Sequence, residues 1–408
     1  MFAVATLAVL AGGASDTAFI HGGRDGLGVD AHVPPIDLST TYPIPDLQVA
    51  TKSISSLSKG GTPQGSSIYQ RMHNPTVARF EDAIAALESA DGAVAFASGM
   101  AAITATLLAA RTKDKQHIVA VRPLYGATDT MLSSGLLGLS VSYASEDTVK
   151  DMVRPDTALV ICESPANPSC TIVDIESIVK QAGDVPVMVD STFATPVLQR
   201  PSTNGATIVL HSCTKAIGGH GDVLGGVVAS NAEWAQRIRK VRSSTGANIH
   251  PFAAFMLHRG LQTLPVRVRA MQATAEEIAC RLEAHPLVSS VSYPSLAKAK
   301  GASAGLIGAG KQMEGGGTVL AFELKEGYEA ACAVMSSVKL VVPAVSLGTT
   351  DTLIQHPAGV THTSLGDDAK KEGGISPGLM RLSIGLEQVD DIWDDLKQAI
   401  ESLTTAKA

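Results

Sequence analysis

The chain has 408 residues, 45% of them hydrophobic, 17% charged and 4% aromatic, and a formal net charge of −7. That length exceeds what one hydrophobic core serves and predicts a large domain with a smaller one, while the aliphatic-rich composition excludes a disordered or fibrous chain. Negative net charge, with no basic stripe interleaved with aromatics, excludes nucleic acid as an expected partner.

In chain order, Met1 to Ala11 (MFAVATLAVLA) is apolar, but it lacks preceding basic residues and is too short to span a bilayer. It reads as a non-cleaved extension, and no other segment is long and apolar enough to cross a membrane. Residues 15–70, rich in Pro, Ser, Thr and Gly, read as an irregular extended arm that needs another surface, that of a partner subunit. Between Asn74 and Ala90 the spacing predicts a helix: Asn74 caps it, Pro75 suits its first turn, and Val77, Phe80, Ile84 and Leu87 make one apolar face. From residue 90 to 230, seven β-branched runs alternate with helical patterns: VAFAS, IVAVRP, LSVSYA, ALVICESP, VPVMVDST, TIVLHSCTK and LGGVVAS. This alternation predicts an α/β fold with a mostly parallel sheet. After about Pro265 the pattern turns to helix and then to strands such as TVLAFEL and LMRLSIGLE, a smaller α+β domain. The expected division is therefore 1–70 (extension and inter-subunit arm), 71–265 (large domain) and 266–408 (C-terminal domain). Cys162, Cys170, Cys213, Cys280 and Cys332 show neither CxxC pairing nor metal-ligand spacing with histidine, which points to a reducing cytoplasm.

Polar residues collect where the strand runs end, the edge at which open α/β sheets bind ligands. Lys215 follows TIVLHSC and precedes the glycine-rich GGHGDVLGG; Asp190 ends VPVMVD; Asn167 lies just past ALVICESP. Ser98, Gly99 and Met100 open an Ala-rich helix whose first amides suit an anion, and Ser212 and Thr214 flank the Lys215 turn with hydroxyls. Tyr125 sits in the loop PLYGAT, and Arg381 is a charge inside an apolar strand that requires a partner. Each has a plainer reading: a solvated lysine, a helix-capping aspartate, turn hydroxyls bonded to local backbone, a packed tyrosine, an arginine paired with an internal Asp or Glu. Together they match what pyridoxal 5′-phosphate (PLP) needs, namely a lysine for its aldehyde, an acid for its ring nitrogen, an aromatic for its face and donors for its phosphate. A nucleotide loop ranks well below this reading because Lys215 precedes the glycines and no GKS or GKT follows them; metal binding by His211, His220 and Asp222 ranks below it too, because they lack a recognised ligand spacing, so no metal is expected.

The motifs YQRMHNPT (69–76), ASGM (97–100), LYGAT (124–128), ESPANP (163–168), VDST (189–192), SCTK (212–215), GHGDV (219–223), TLIQHPAGVTH (352–362) and RLSIGLE (381–387) resemble, in order, those of the Cys/Met-metabolism family of PLP enzymes. The resemblance implies PLP fold type I, the aspartate-aminotransferase-like fold with a seven-stranded sheet, and a homotetramer built as a dimer of dimers with shared active sites. It implies Lys215 as Schiff-base lysine and proton carrier, Asp190 at the ring nitrogen, and Tyr125 stacking on the ring and moving protons. Gly99, Met100, Ser212 and Thr214 would hold the phosphate, with Tyr69 and Arg71 from the neighbouring subunit. Asn167 would touch the ring hydroxyl, and Arg381 and Ser346 the substrate carboxylate.

The implied reaction is α,γ-elimination on a sulfur-containing amino acid, giving 2-oxobutanoate, ammonia and a thiol; γ-replacement by a thiol and cystathionine γ-lysis are its alternatives. Val345, where family members that handle cystathionine carry Glu, resembles methionine γ-lyases. Ala127, where those lyases carry Cys, departs from them, as do Arg242 and Ser243, where they resemble Lys-Asp. Arg242 reads either as favouring an acidic or acyl-bearing substrate or as a surface arginine.

Overall fold

Seven of the strand-forming runs pair into a single sheet. The computed structural model describes residues 15–24, 31–296, 305–363, 370 and 373–405; the apolar stretch 1–11 lies outside them. The strands are β1 (Gly92–Phe96), β2 (His117–Val121), β3 (Ser140–Ala144), β4 (Thr157–Glu163), β5 (Val187–Asp190), β6 (Ile208–Ser212) and β7 (Gly226–Ser230). Their order is β1-β7-β6-β5-β4-β2-β3. The run from β3 to β6 is parallel, and β7 lies antiparallel to both β6 and β1. β2, β4 and β7 are buried along their whole length, which is why they read as unbroken apolar runs and not as alternating ones. Because of this topology, the last residues of β1, β4, β5 and β6 and the first of β7 share one edge. Glu163 pairs in register with Asp190 there, and Ser212 with Gly226.

Among the helices, α1 is Asp16–His21, α2 Leu47–Ser58, α3 Pro75–Leu87, α4 Gly99–Ala110, α5 Gly126–Ser133, α6 Ala232–Thr245, α7 Leu264–Glu283, α8 Gly327–Ser337 and α9 Val389–Thr405. The expected helix after Asn74 is α3: Asn74 Oδ1 accepts the amides of Thr76 and Val77 at 3.0 and 3.1 Å. Val77, Phe80, Ile84 and Leu87 are buried together with residues of β1 and β7. The Asn74 Nδ2 also donates to Asp37 O and Tyr42 Oη, so the cap ties the arm to the domain. Asn74→Ala should lower stability by about 1–2 kcal/mol, read as a fall in denaturant midpoint at constant slope.

The arm is more regular than its composition suggests. Residues 47–58 form the helix α2, whose N-cap Asp46 accepts the amides of Gln48 and Val49 and which turns Ala50, Ser53 and Leu57 inward. The five Ser and Thr residues in its sequence hide the period, because they favour caps and turns when read singly. α1, a shorter helix, departs from the expected irregularity in the same way.

A second, smaller sheet follows: β8 (Val288–Ser292), β9 (Val319–Leu324), β10 (Val342–Pro343), β11 (Leu353–Gln355) and β12 (Leu379–Ser383), ordered β10-β11-β12-β9-β8. β9 and β12 are the two strands the sequence marks; β8, β10 and β11 are short or polar and carry no such signal. Phe322, Met380, Leu382, Ile392, Leu396 and Ile400 fill the core between this sheet and its helices. At the centre of β12, Arg381 pairs with Gln355 of β11 and Ala321 of β9.

Candidate active site

A cavity of about 380 Å³ opens at the carboxyl edge of the large sheet and is closed from the far side by loops of the small one. Gly99, Met100, Tyr125, Asn167, Asp190, Ser212, Thr214, Lys215, Ser346 and Arg381 all line it. Tyr69 and Arg71 do not; Tyr69 is exposed, and an Arg71 guanidinium nitrogen donates to Ser243 O.

At one end are anion donors. Ser98 caps α4, its hydroxyl accepting the Ala101 amide at 3.1 Å, so the amides of Gly99 and Met100 at the helix start are the ones directed at a ligand. Gly226 makes this packing possible, since a Cβ there would meet Ser98 O at 2.3 Å. Ser212 borders the same space. The Thr214 hydroxyl is exchanged with the Gly225 backbone, donating to its O at 3.2 Å and accepting from its N at 3.1 Å, so the plainer, local reading holds for part of its capacity.

Asp190 Oδ1 accepts both the amide and the hydroxyl of Thr192, at 3.0 and 2.5 Å. Oδ2 remains for a ligand. Burial pushes this carboxyl above the ordinary range against the pull of the Thr192 bonds, the condition under which a cation such as a pyridinium is most welcome. Lys215 Nζ donates to Ser346 Oγ at 2.9 Å. Its pKa is brought from 10.5 to about 8, first by burial and then by the Arg381 charge. Reloading of the apoprotein with PLP, followed by the visible absorbance of bound cofactor, should therefore accelerate as pH rises through about 8 and level off beyond it. A rate still climbing tenfold per pH unit at about 9.5 would mean an ordinary lysine.

Arg381 is 3% exposed. Its guanidinium donates to Asn167 Oδ1 at 2.9 Å and Ser346 O at 2.6 Å, and the Gln355 amide, turned oxygen-inward, accepts from Nη1 at 3.1 Å. All three partners are neutral, and among the described residues no Asp or Glu pairs with it, so the internal ion pair entertained for it is not found. A buried, fork-shaped cation held only by neutral acceptors suits a carboxylate ligand. With Asn167 Oδ1 committed to Arg381, the Asn167 Nδ2–H is the part of the amide that would donate to a ligand in the cavity. Ser346 has φ +96°, a rare conformation for a residue with a side chain, and it sends its hydroxyl to Lys215 and its carbonyl to Arg381. Gly348 follows at φ +76°, where a Cβ would meet Ala216 N at 2.5 Å.

Sequence reasoning missed Glu163, which lines the cavity at 5% exposure. The signal was present: a carboxylate closing an apolar strand, as at Asp190. Burial and Asp190 beside it push its carboxyl well above the usual range. Leu224, Val360 and Thr361 are further lining residues not anticipated. Arg242 fits neither of its two readings. It is buried, ion-paired with Glu81 and bonded to Ala95 O, hence neither on the surface nor available to a substrate. Ala127 and Ser243 are not among the lining residues.

The donor set fits PLP: helix amides and a hydroxyl for phosphate, a depressed-pKa lysine for an aldehyde, and a buried carboxylate for a basic ring nitrogen. Comparison with known proteins agrees. The family model for Cys/Met metabolism PLP-dependent enzymes matches residues 16–401. An L-methionine gamma-lyase of Brevibacterium aurantiacum is 53% identical over 96% of this chain and 95% of its own; one of Streptomyces avermitilis is 47% identical over 95% and 89%. Among solved structures, a cystathionine gamma synthase of Xanthomonas oryzae superposes with TM-score 0.85 at 33% identity, covering 95% of this chain and 97% of its own. A cystathionine gamma-lyase of Lactobacillus plantarum gives 0.86 at 31%, covering 95% and 99%. With its fold type I architecture and a cavity equipped for the cofactor, this chain belongs to the PLP-dependent enzymes of Cys/Met metabolism.

Proposed function

We propose that this enzyme cleaves the C–S bond of methionine or a close uncharged analogue by α,γ-elimination, giving 2-oxobutanoate, ammonia and a thiol. One observation carries the choice of substrate class. The charged groups lining the cavity are Glu163, Asp190, Lys215 and Arg381, and the wall beyond them is Leu224, Val345 and Val360. Among the described residues that line the cavity, that wall suits a thioether and carries no charge for the second charged end of cystathionine. The names of the 53% and 47% identical relatives support the same reading.

Bound PLP supplies an aldehyde for the substrate amine and a ring that takes up the electron pair left at Cα. Arg381 binds the substrate carboxylate, and Asp190 keeps a proton on the ring nitrogen. The Lys215 amine would remove the Cα proton and then a Cβ proton, with Ser346 Oγ steadying it. The Tyr125 hydroxyl delivers the proton that lets the thiol leave Cγ. The proton taken from Cβ, returned to Cγ, completes 2-aminobut-2-enoate, which water hydrolyses to ammonia and 2-oxobutanoate. Gly99, Met100 and Ser212 would hold the phosphate, joined by Thr214 and by Tyr69 and Arg71 of a second copy. The exposed apolar residues Val33, Leu38, Ile44 and Leu47 on the arm support a homotetramer with shared sites, with the chain divided at about 70 and 265. The free cysteines Cys162, Cys170, Cys213, Cys280 and Cys332 support a reducing cytoplasm, and no helix among the described residues is long and apolar enough to cross a membrane.

The test is 2-oxobutanoate release by PLP-loaded enzyme from L-methionine, cystathionine and O-acetylhomoserine, each with and without added thiol. Methionine alone should give ketoacid. If methionine is untouched while O-acetylhomoserine with thiol gives a thioether, the enzyme is a γ-replacement transferase, the activity class named for the Xanthomonas oryzae structure.

A further inference from the structure

Glu163 is the charged cavity residue to which the chemistry above gives no work. It closes β4 beside Asp190, and its two oxygens are separately engaged. Oε1 accepts the Tyr125 amide at 2.5 Å, and Oε2 accepts the Asn167 amide at 3.3 Å. These amides belong to different loops, one leaving β2 and entering α5, the other leaving β4, and both residues line the cavity. We propose that Glu163 is a positioning residue of the cofactor site: by accepting both amides at once it fixes the Tyr125 ring and the Asn167 amide in relation to Asp190.

The inference rests on the reading of this cavity as the PLP site. A second buried carboxylate next to Asp190 is costly, so its retention requires work that cheaper side chains cannot do. Glutamine has one acceptor oxygen and would turn its NH₂ against one of the two amides; aspartate is a methylene short of reaching both. The Tyr125 amide lies at the start of α5, where a negative charge is also favoured by the helix dipole. Tyr125 has no side-chain bond that caps α5, and the neighbouring Arg122–Asp129 pair, at 2.8 Å, fixes the helix body and not the loop tip. Asn167 matters twice, since its side chain also holds Arg381.

The experiment compares PLP-loaded wild type with Glu163→Gln and Glu163→Asp. The readouts are the visible circular dichroism of the bound cofactor, hydrogen exchange in peptides containing Tyr125 and Asn167, and kcat on whichever amino acid the wild type consumes. The dichroism needs no substrate, so failure of the methionine reading leaves this test intact. Both variants should bind PLP, lose at least about half of the dichroic band, exchange faster in those peptides, and lose about 10–100-fold in kcat with little change in KM. Combined with Tyr125→Phe, the loss should fall well short of additive, because Glu163 acts through Tyr125. An unchanged dichroic band with kcat within about twofold of wild type, or fully additive losses, overturns the proposal. If Glu163→Gln does not fold, the same thresholds apply to Glu163→Asp; folded variants that cannot hold PLP at all also overturn it, since the role would then be cofactor retention.

Discussion

Lys215→Ala is expected to bring ketoacid release down by about 10³-fold or more and to remove the visible absorbance of lysine-bound cofactor. The size follows from two losses at one atom. The depressed pKa, from 10.5 to about 8, makes this amine a competent nucleophile toward the aldehyde, and the Ser346 bond at 2.9 Å places it for proton removal. The phosphate donors and Asp190 stay in place, so the variant should still bind PLP noncovalently, measurable by equilibrium dialysis. Activity within tenfold of wild type would sink the assignment. Arginine at the same position should do no better, since it remains charged near neutral pH and cannot act as the base.

Arg381→Ala is expected to cost kcat/KM about 30- to 5,000-fold, the range for losing one partner of a buried charge pair, about 2–5 kcal/mol. The loss should be largest for substrates with a free α-carboxylate. Substrates whose carboxylate is esterified should lose far less, and their ratio across wild type and variant separates binding from damage to the fold. Equal losses for free and esterified substrates would show that Arg381 does not meet the carboxylate. Arg381→Lys should recover little, because one ammonium cannot reproduce the planar fork held by Asn167, Ser346 and Gln355.

What is legible in the sequence follows from where polarity interrupts an apolar pattern. Lys215, Asp190 and Arg381 each break a strand run, and buried charge is rare enough that such breaks mark ligand positions. The seven runs between residues 90 and 230 became the seven strands of the sheet, and continuous hydrophobicity follows from burial along the whole strand at β2, β4 and β7. Glu163 carries the same signal, an acid that closes an apolar strand run. α2 was hidden by its serines, and its formation depends on the Asp46 cap, a feature one residue wide. Arg242 could not be placed, because its partner Glu81 lies 161 residues away in sequence. Tyr69 and Arg71 are a different case, since the role the resemblance implies for them requires a second copy of the chain.

The pairing of Glu163 with Asp190 across adjacent strands bears on the lifetime of the protein. Burial favours the protonated form of both carboxyls, and a ligand that brings a pyridinium favours their ionised forms instead. Anything that binds only the folded form shifts the balance away from unfolding by mass action, and here the bound group would also bring a counter-charge to two buried carboxyls. Resistance to heat and proteolysis should then rise with the fraction of protein that carries cofactor.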